Sequence, residues 1–248
     1  HLRIAQQPCN RPGLDIAVAA VDFDRVGCHR DAEPANLQLG DGHGDALANL
    51  QRLEKIGADV VAAETPEGLA GIRDDAAAFD LVIDGGNSRF TDDFEHEKLL
   101  KAKGVGYLDC GVSGGIWGLD NGYGLMVGGT ATNVKKAMPI FDALRPEGPR
   151  DEGFVHAGKV GAGHYTKMVH NGIEYGLMHA YAEGYELLTA VDVDLDVNAA
   201  LKAWQHGSVV RSWLLDLLVL AIEDDDNGIH TFQGHASDSG EGRWTVNE

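Results

Sequence analysis

Along the first 160 residues, short apolar runs alternate with stretches whose apolar positions recur every three or four residues. DIAVAAVDF (15–23), ADVVAA (58–63), DLVIDGG (80–86) and VGYLDCG (105–111) have the length and composition of strands. Between and after them, ALANLQRLEKIG (46–57), DDFEHEKLLKAKG (92–104) and NVKKAMPIFDAL (133–144) have helical period. Such alternation predicts a parallel sheet covered by helices. From about residue 161 the pattern changes to two long helical stretches, 163–190 and 197–222, with little strand character. The expected organisation is an α/β domain over 1–160 followed by an all-α domain over 161–248, with no fixed-period repeat and no low-complexity tract.

Two apolar runs end in glycine-rich turns, VIDGGNS (82–88) and LDCGVSGG (108–115). Ligands of open α/β sheets bind outside the carboxyl ends of the strands, so both turns are candidate ligand loops. Residues 111–129 hold eight glycines, which allow close backbone approach and leave N–H groups for an anionic oxygen. GVSGG also matches G-x-S-x-G with Ser113 as a nucleophile. A nucleophile elbow needs a helix directly after the serine, however, and GIWGLDNGYG is full of helix breakers.

In the second half, YTKMVHNGIEYG (165–176) sets a cation, an imidazole, an amide, a carboxylate and a phenol among apolar residues. At roughly 100° per residue, a helix brings Lys167, Asn171 and Glu174 to within about 60° of one another. An amine and a carboxylate held against an apolar wall are the material of a general base and a general acid, because burial moves both pKa values toward neutrality.

Charge and composition narrow the function classes. Twenty basic against 39 acidic side chains give a net charge of -19, which disfavours nucleic acid as a partner and suits a chain kept soluble at high salt. The longest apolar run, WLLDLLVLAI, is interrupted by Asp216 and falls far short of the ~20 residues that span a bilayer. No signal-peptide pattern opens the sequence, and Cys9, Cys28 and Cys110 form no C-x-x-C pair, so a reducing cytoplasm is expected and a disulfide framework is not. The eleven histidines show no H-x-x-x-H pair or mixed acidic cluster at ligand spacing, and no metal site is expected.

VIDGGNS, YLDCGVSGG, LMVGG, GAGHYTKMVHNGIEYGLMHAYAEGYELL and SGEGRWT, in this order, closely resemble the decarboxylating 6-phosphogluconate dehydrogenases in their short prokaryotic form. The likeness runs from about residue 80 to the end. G-x-x-x-K-x-x-x-N (Gly163, Lys167, Asn171) is shared with the wider β-hydroxyacid dehydrogenase superfamily, whereas KMVHNGIEYG belongs to the 6-phosphogluconate branch. The resemblance implies a Rossmann-type domain and an all-helical domain through which subunits pair, hence a homodimer or higher homo-oligomer. It also implies oxidation of 6-phosphogluconate to ribulose 5-phosphate and carbon dioxide with NADP or NAD, as in the pentose phosphate pathway and gluconate metabolism.

By the same resemblance, Lys167 is the base that takes the 3-hydroxyl proton, and Glu174 is the acid that later protonates C1. His170 and Asn171 orient the reacting hydroxyl. Asn87, Ser113, Gly114 and Gly115 hold the substrate's carboxylate and hydroxyls, while Tyr175 and Arg243 take its phosphate. Lys167 must start neutral, which burial favours, since an exposed lysine near pKa ~10.4 stays protonated. No metal is required.

The nucleotide end departs from the family pattern. PCNRPG (8–13) stands where the family has G-x-G-x-x-G and keeps only Arg11 and Gly13; Pro8 and Pro12 lack an N–H for the pyrophosphate. ETPEG (64–68) stands at the nicotinamide loop, with Pro66 retained and Glu64 in place of an apolar residue, and Asn87 belongs to the same end of the site. Arg30, in GCHRD (27–31), favours the 2′-phosphate of NADP over NAD. The sequence ends at TVNE, before the family's C-terminal segment with further phosphate-binding arginines. Two alternatives stay open: a related dehydrogenase that oxidises without losing carbon dioxide, and a non-catalytic sugar-phosphate-binding paralogue.

Overall fold

The computed structural model describes residues 16–19, 81–224 and 241–248. The expected strand ADVVAA, the helix ALANLQRLEKIG, the second strand ending near Arg30, and the candidate nucleotide residues Arg11, Gly13 and Pro66 lie outside them. The chain divides into two compact units between Lys167 and Met168.

Among the described residues, the first unit carries one five-stranded sheet in the order β1 (Ile16–Ala19), β2 (Leu81–Asp84), β3 (Gly106–Ser113), β4 (Gly124–Gly129) and β5 (Phe154–Gly158). β1, β2 and β3 are mutually parallel, as the alternating pattern predicts, and β4 pairs in parallel with β5. β3 and β4 are antiparallel, so the sheet is mixed rather than wholly parallel. The cause is the length of the link. A parallel crossover needs about a dozen residues or more, whereas residues 114–123 hold only a 3-10 turn, Gly115–Trp117, and the one-turn α2, Gly118–Asn121.

α1 (Phe90–Lys101) follows β2, with Asp92 and Asp93 in its first turn and Lys98 and Lys101 in its last, the arrangement that suits the helix dipole. α3 (Ala131–Leu144) starts at Thr130, whose hydroxyl accepts the Asn133 N–H at 3.2 Å. It lays Val134, Ala137, Ile140, Phe141 and Leu144 on Leu108, Leu125 and Val127 of the sheet. Full burial of the Val, Ile, Phe and Leu side chains among these contributes about 1.5–3 kcal/mol each. Leu81, Val82, Ile83 and Asp84 are all buried, which is the mark of a strand covered on both faces.

α4 (Ala162–Ala190) begins in the first unit and continues as the first element of the second. The helical stretch expected over 197–222 is two helices, α5 (Val197–Trp204) and α6 (Trp213–Asp224). Gly207, at φ +74°, turns the chain out of α5, and the Ser212 hydroxyl accepts the Leu215 N–H at 3.1 Å to start α6. Tyr181 of α4 fastens the bend by donating to the Val210 carbonyl at 2.6 Å. Leu201, Leu215 and Val219 form the buried centre of this unit, with Tyr181, Tyr185 and Leu188 packed on it. Among the described residues no helix is long and apolar enough to cross a membrane.

Candidate active site

The turn after β2 is held from beneath. Asp84, the last residue of the strand, accepts the Gly86 N–H at 3.0 Å and the Ser88 hydroxyl at 3.2 Å. A carboxylate folded back on its own turn fixes the backbone and leaves Asn87 exposed at the carboxyl end of a parallel strand. That is the place where open sheets receive nucleotides.

β3 leads to the second glycine turn and also anchors α4. Asp109 is wholly buried in an otherwise apolar strand, and its carboxylate accepts the N–H groups of Gly161 at 2.8 Å, Gly163 at 2.7 Å and His164 at 3.0 Å. One carboxylate from the sheet thereby caps the helix that carries the candidate chemistry. Two residues on, Gly111 touches the stem of Lys167: a Cβ built there would overlap Lys167 Cβ and come within 2.9 Å of the Gly163 carbonyl oxygen. Beyond it the strand turns through Gly114 and Gly115 at φ +144° and +53°, conformations that only glycine adopts without strain.

α4 runs unbroken through 162–190, so Lys167, Asn171 and Glu174 follow each other at four and three residues along one face. Lys167 and Glu174 are half-buried and Asn171 is buried. His170 Nδ1 lies 2.9 Å from Asn171 Oδ1 and 3.6 Å from Glu174 Oε2, joining three of the candidate groups. Tyr175 is exposed. α7 (Glu241–Asn247) is tied to α4 by the Thr245 hydroxyl, which donates to the Met168 carbonyl at 2.8 Å. A side chain at Gly172 would run into Thr245, so Gly172 is what lets α7, with exposed Arg243, seat on α4.

Beneath the turns lies a buried polar cluster. Asp93 on α1 contacts His164 Nδ1 with both oxygens, at 3.0 and 2.9 Å, and accepts the Tyr107 hydroxyl at 2.8 Å. Burial alone would push the His164 imidazole down, but its hydrogen bond to Asp93, and then the charges of Asp93, Asp84 and Asp109, raise it to about 9. Burial lifts the Asp93 carboxyl, against the pull of His164. With three carboxylates around it, the imidazole holds the proton at neutral pH. Ligand atoms of Asp93, Asp109 and His164, and of Asp84, Asp93 and His96, lie within 4.8 Å of one another, which sequence spacing could not reveal. The chain's own donors already occupy these carboxylates, and the cluster is an internal hydrogen-bonded one.

Comparison with known proteins decides the family. The model described as the NAD binding domain of 6-phosphogluconate dehydrogenase matches residues 53–146, and that for the C-terminal domain of 6-phosphogluconate dehydrogenase matches 163–248. The chain is 44% identical over 169 residues to the NAD(+)-dependent, decarboxylating 6-phosphogluconate dehydrogenase of Haloferax volcanii, covering 68% of this chain and 54% of that one. The chain belongs to the 6-phosphogluconate dehydrogenase family.

A second relative, the decarboxylating 6-phosphogluconate dehydrogenase of Synechococcus elongatus, is 38% identical over 178 residues, 67% of this chain and 37% of the relative. The chain thus spans about half the length, or less, of these curated members of the 6-phosphogluconate dehydrogenase family. The fold is shared with the Plasmodium falciparum 6-phosphogluconate dehydrogenase, solved in its apo form and in complexes with its cofactor NADP+ and its substrate 6-phosphogluconate: TM-score 0.67, 24% identity, 85% of this chain and 51% of that one.

Of the candidate residues singled out from sequence, His170, Asn171 and Glu174 are drawn together on α4, and Lys167 lies on the same face beside β3. Ser113, Gly114 and Gly115 form the turn that ends β3, and Asn87 lies in the turn after β2. Sequence reading missed Asp109, Asp93, Tyr107 and His164. Their trace was a carboxylate inside the apolar run YLDCG and a histidine three residues before the lysine.

Proposed function

We propose that the chain catalyses the oxidative decarboxylation of 6-phosphogluconate to ribulose 5-phosphate and carbon dioxide with NADP or NAD, a reaction of the pentose phosphate pathway. One observation carries this reading: a single helix bears Lys167, Asn171 and Glu174 along one face while Asp109 and Gly111 of β3 hold its first turns. The turn after β2, braced by Asp84 with Asn87 exposed, suits the nicotinamide end of the nucleotide. NADP or NAD, when bound, supplies a hydride acceptor.

Lys167 takes the proton of the 3-hydroxyl, which His170 and Asn171 orient; the buried Asn171 amide is itself fixed by His170. The resulting β-keto acid loses carbon dioxide because the electron pair released from the carboxylate is delocalised into an enediol. The Lys167 ammonium beside the carbonyl stabilises that charge. Glu174, one turn beyond Asn171, gives a proton to C1 and completes the pentulose. Ser113, Gly114 and Gly115 hold the carboxylate and hydroxyls, and Tyr175 and Arg243 hold the phosphate, local donors in a chain whose net charge of -19 repels the substrate.

Arg30 supports NADP as the acceptor, while the Haloferax relative bears the name of an NAD(+)-dependent enzyme. A homodimer is the proposed assembly, supported by exposed apolar side chains along α4 such as Ile173, Met178 and Leu187. The cysteine pattern supports a reducing cytoplasm as the compartment.

The test is to mix the purified protein with 6-phosphogluconate and each nucleotide and follow reduced nucleotide and carbon dioxide together. One carbon dioxide per reduced nucleotide is expected. Reduced nucleotide without carbon dioxide would assign a non-decarboxylating dehydrogenase, and neither product would leave a sugar-phosphate-binding paralogue.

A further inference from the structure

Tyr107 on β3 stands in a chain of buried polar groups that the proposed chemistry does not use. Its hydroxyl donates to Asp93 Oδ1 at 2.8 Å and lies 3.3 Å from Asp84 Oδ2. Asp93 is bound in turn by His164, and Asp84 by the Gly86 amide and the Ser88 hydroxyl. His96 closes the cluster on the α1 side, its Nδ1 3.5 Å from the Tyr107 oxygen and 3.9 Å from Asp84 Oδ2. The series starts in the turn that presents Asn87 and ends three residues before Lys167. None of Asp84, Asp93, Tyr107 and His164 is more than 3% exposed.

Water cannot compete for bonds at that depth, so each group's orientation depends on its protein neighbours. His164 Nε2 has no hydrogen-bond partner among the described residues, and the ring is held through Nδ1 by Asp93, which the Tyr107 hydroxyl also binds. Burial and the neighbouring carboxylates push the Tyr107 phenol well above its ordinary value, which keeps it a donor. A purely apolar contact between the turn and α4 would resist separation but permit sliding. Directional bonds through one phenol resist both.

We propose that Tyr107, Asp93 and His164 are positioning residues that couple the Asn87 turn to the first turn of α4, and so set Asn87 and Lys167 in register with each other. The proposal rests on the dehydrogenase reading of those two residues. It assigns the three residues no contact with substrate or nucleotide.

Tyr107→Phe removes only the linking oxygen and keeps the ring, and His164→Gln breaks the far end of the chain. Native-state amide exchange at Gly86 is expected to quicken by about tenfold or more in both, although His164 lies on another element. Turnover of 6-phosphogluconate should fall about tenfold in kcat, with KM for substrate and nucleotide within about twofold, because misregister costs rate more than binding. If His164→Gln does not fold, Asp93→Asn, which keeps the shape, is measured in its place. Wild-type exchange at Gly86 in the far-end variant overturns the coupling, whether or not the enzyme is active. Faster exchange with wild-type kcat in both variants overturns the positioning role. A wild-type protein that oxidises no 6-phosphogluconate with either nucleotide defeats the dehydrogenase reading, and the coupling is then decided by exchange alone.

Discussion

Gly163 on α4 gives its backbone N–H to the Asp109 carboxylate on β3 at 2.7 Å, inside a fit so close that a Cβ on Gly163 would come within 2.7 Å of the Asp109 carbonyl oxygen. Strand and helix are therefore joined through backbone, with the carboxylate as the clasp. Asp109→Ala strips three buried N–H groups of their acceptor and is expected to cost about 3 kcal/mol or more. Urea denaturation measures this; a loss under about 1 kcal/mol would mean that water replaces the carboxylate.

Because the folded pKa of His164 is raised to about 9 from an ordinary 6.5, folding binds a proton there. The stabilisation is complete below pH 6.5 and drains away as pH rises through about 9. Tm should fall across that window in the wild type and fall less in His164→Gln. Equal slopes for the two proteins would show that another group governs the window.

Lys167→Met should abolish turnover, by about 10³-fold or more, and leave sugar-phosphate binding nearly intact, since a base is used only in the transition state. Glu174→Gln should depress carbon dioxide and pentulose formation while sparing part of the hydride transfer. Stopped-flow measurement of reduced nucleotide beside product assay separates the steps. Loss of both to the same degree in the glutamate variant would remove Glu174 from the late proton transfer.

Gly111→Ala tests the seat of the lysine. The new methyl meets Lys167 Cβ and the backbone oxygen of Gly163, both of which the helix backbone fixes, so strand and helix must move apart to admit it. The expected result is a stability loss of about 1–3 kcal/mol with a fall in kcat of about tenfold or more. Wild-type kcat in a folded Gly111→Ala protein would show that the position of the amine does not depend on this contact.

Cys110 is buried in β3, and desolvation, then the charges of Asp109 and Asp84, push its thiol far up. Iodoacetamide should leave the Cys110 peptide unmodified in native protein and label it in urea, as read by mass spectrometry. Ready labelling without denaturant would mean that β3 opens locally.

Much of this architecture was legible from the chain alone where a local pattern suffices. The runs that became β2 and β3 are apolar and short, and the spacing of Lys167, Asn171 and Glu174 already implied one helical face. GLMVGG was harder: its glycines look like a ligand loop, yet they lie in β4, where Gly128 leaves space under the Asp109 carboxylate. The break between α5 and α6 was hidden because apolar positions continue across it, while Gly207 and Ser212 decide it by backbone conformation and capping. The partners of Asp109 lie more than fifty residues away in sequence, and no local periodicity reports a contact of that range.

The placement of the helix start has a practical bearing on any attempt to take the protein apart. A fragment that opens at Gly163, where the C-terminal family match begins, would expose amide hydrogens that the intact chain satisfies from a strand some fifty residues upstream. Its leading turn should fray just where the amine is carried. Dissection into independent halves would thus erase the geometry under study, and interrogation belongs with the uncut polypeptide.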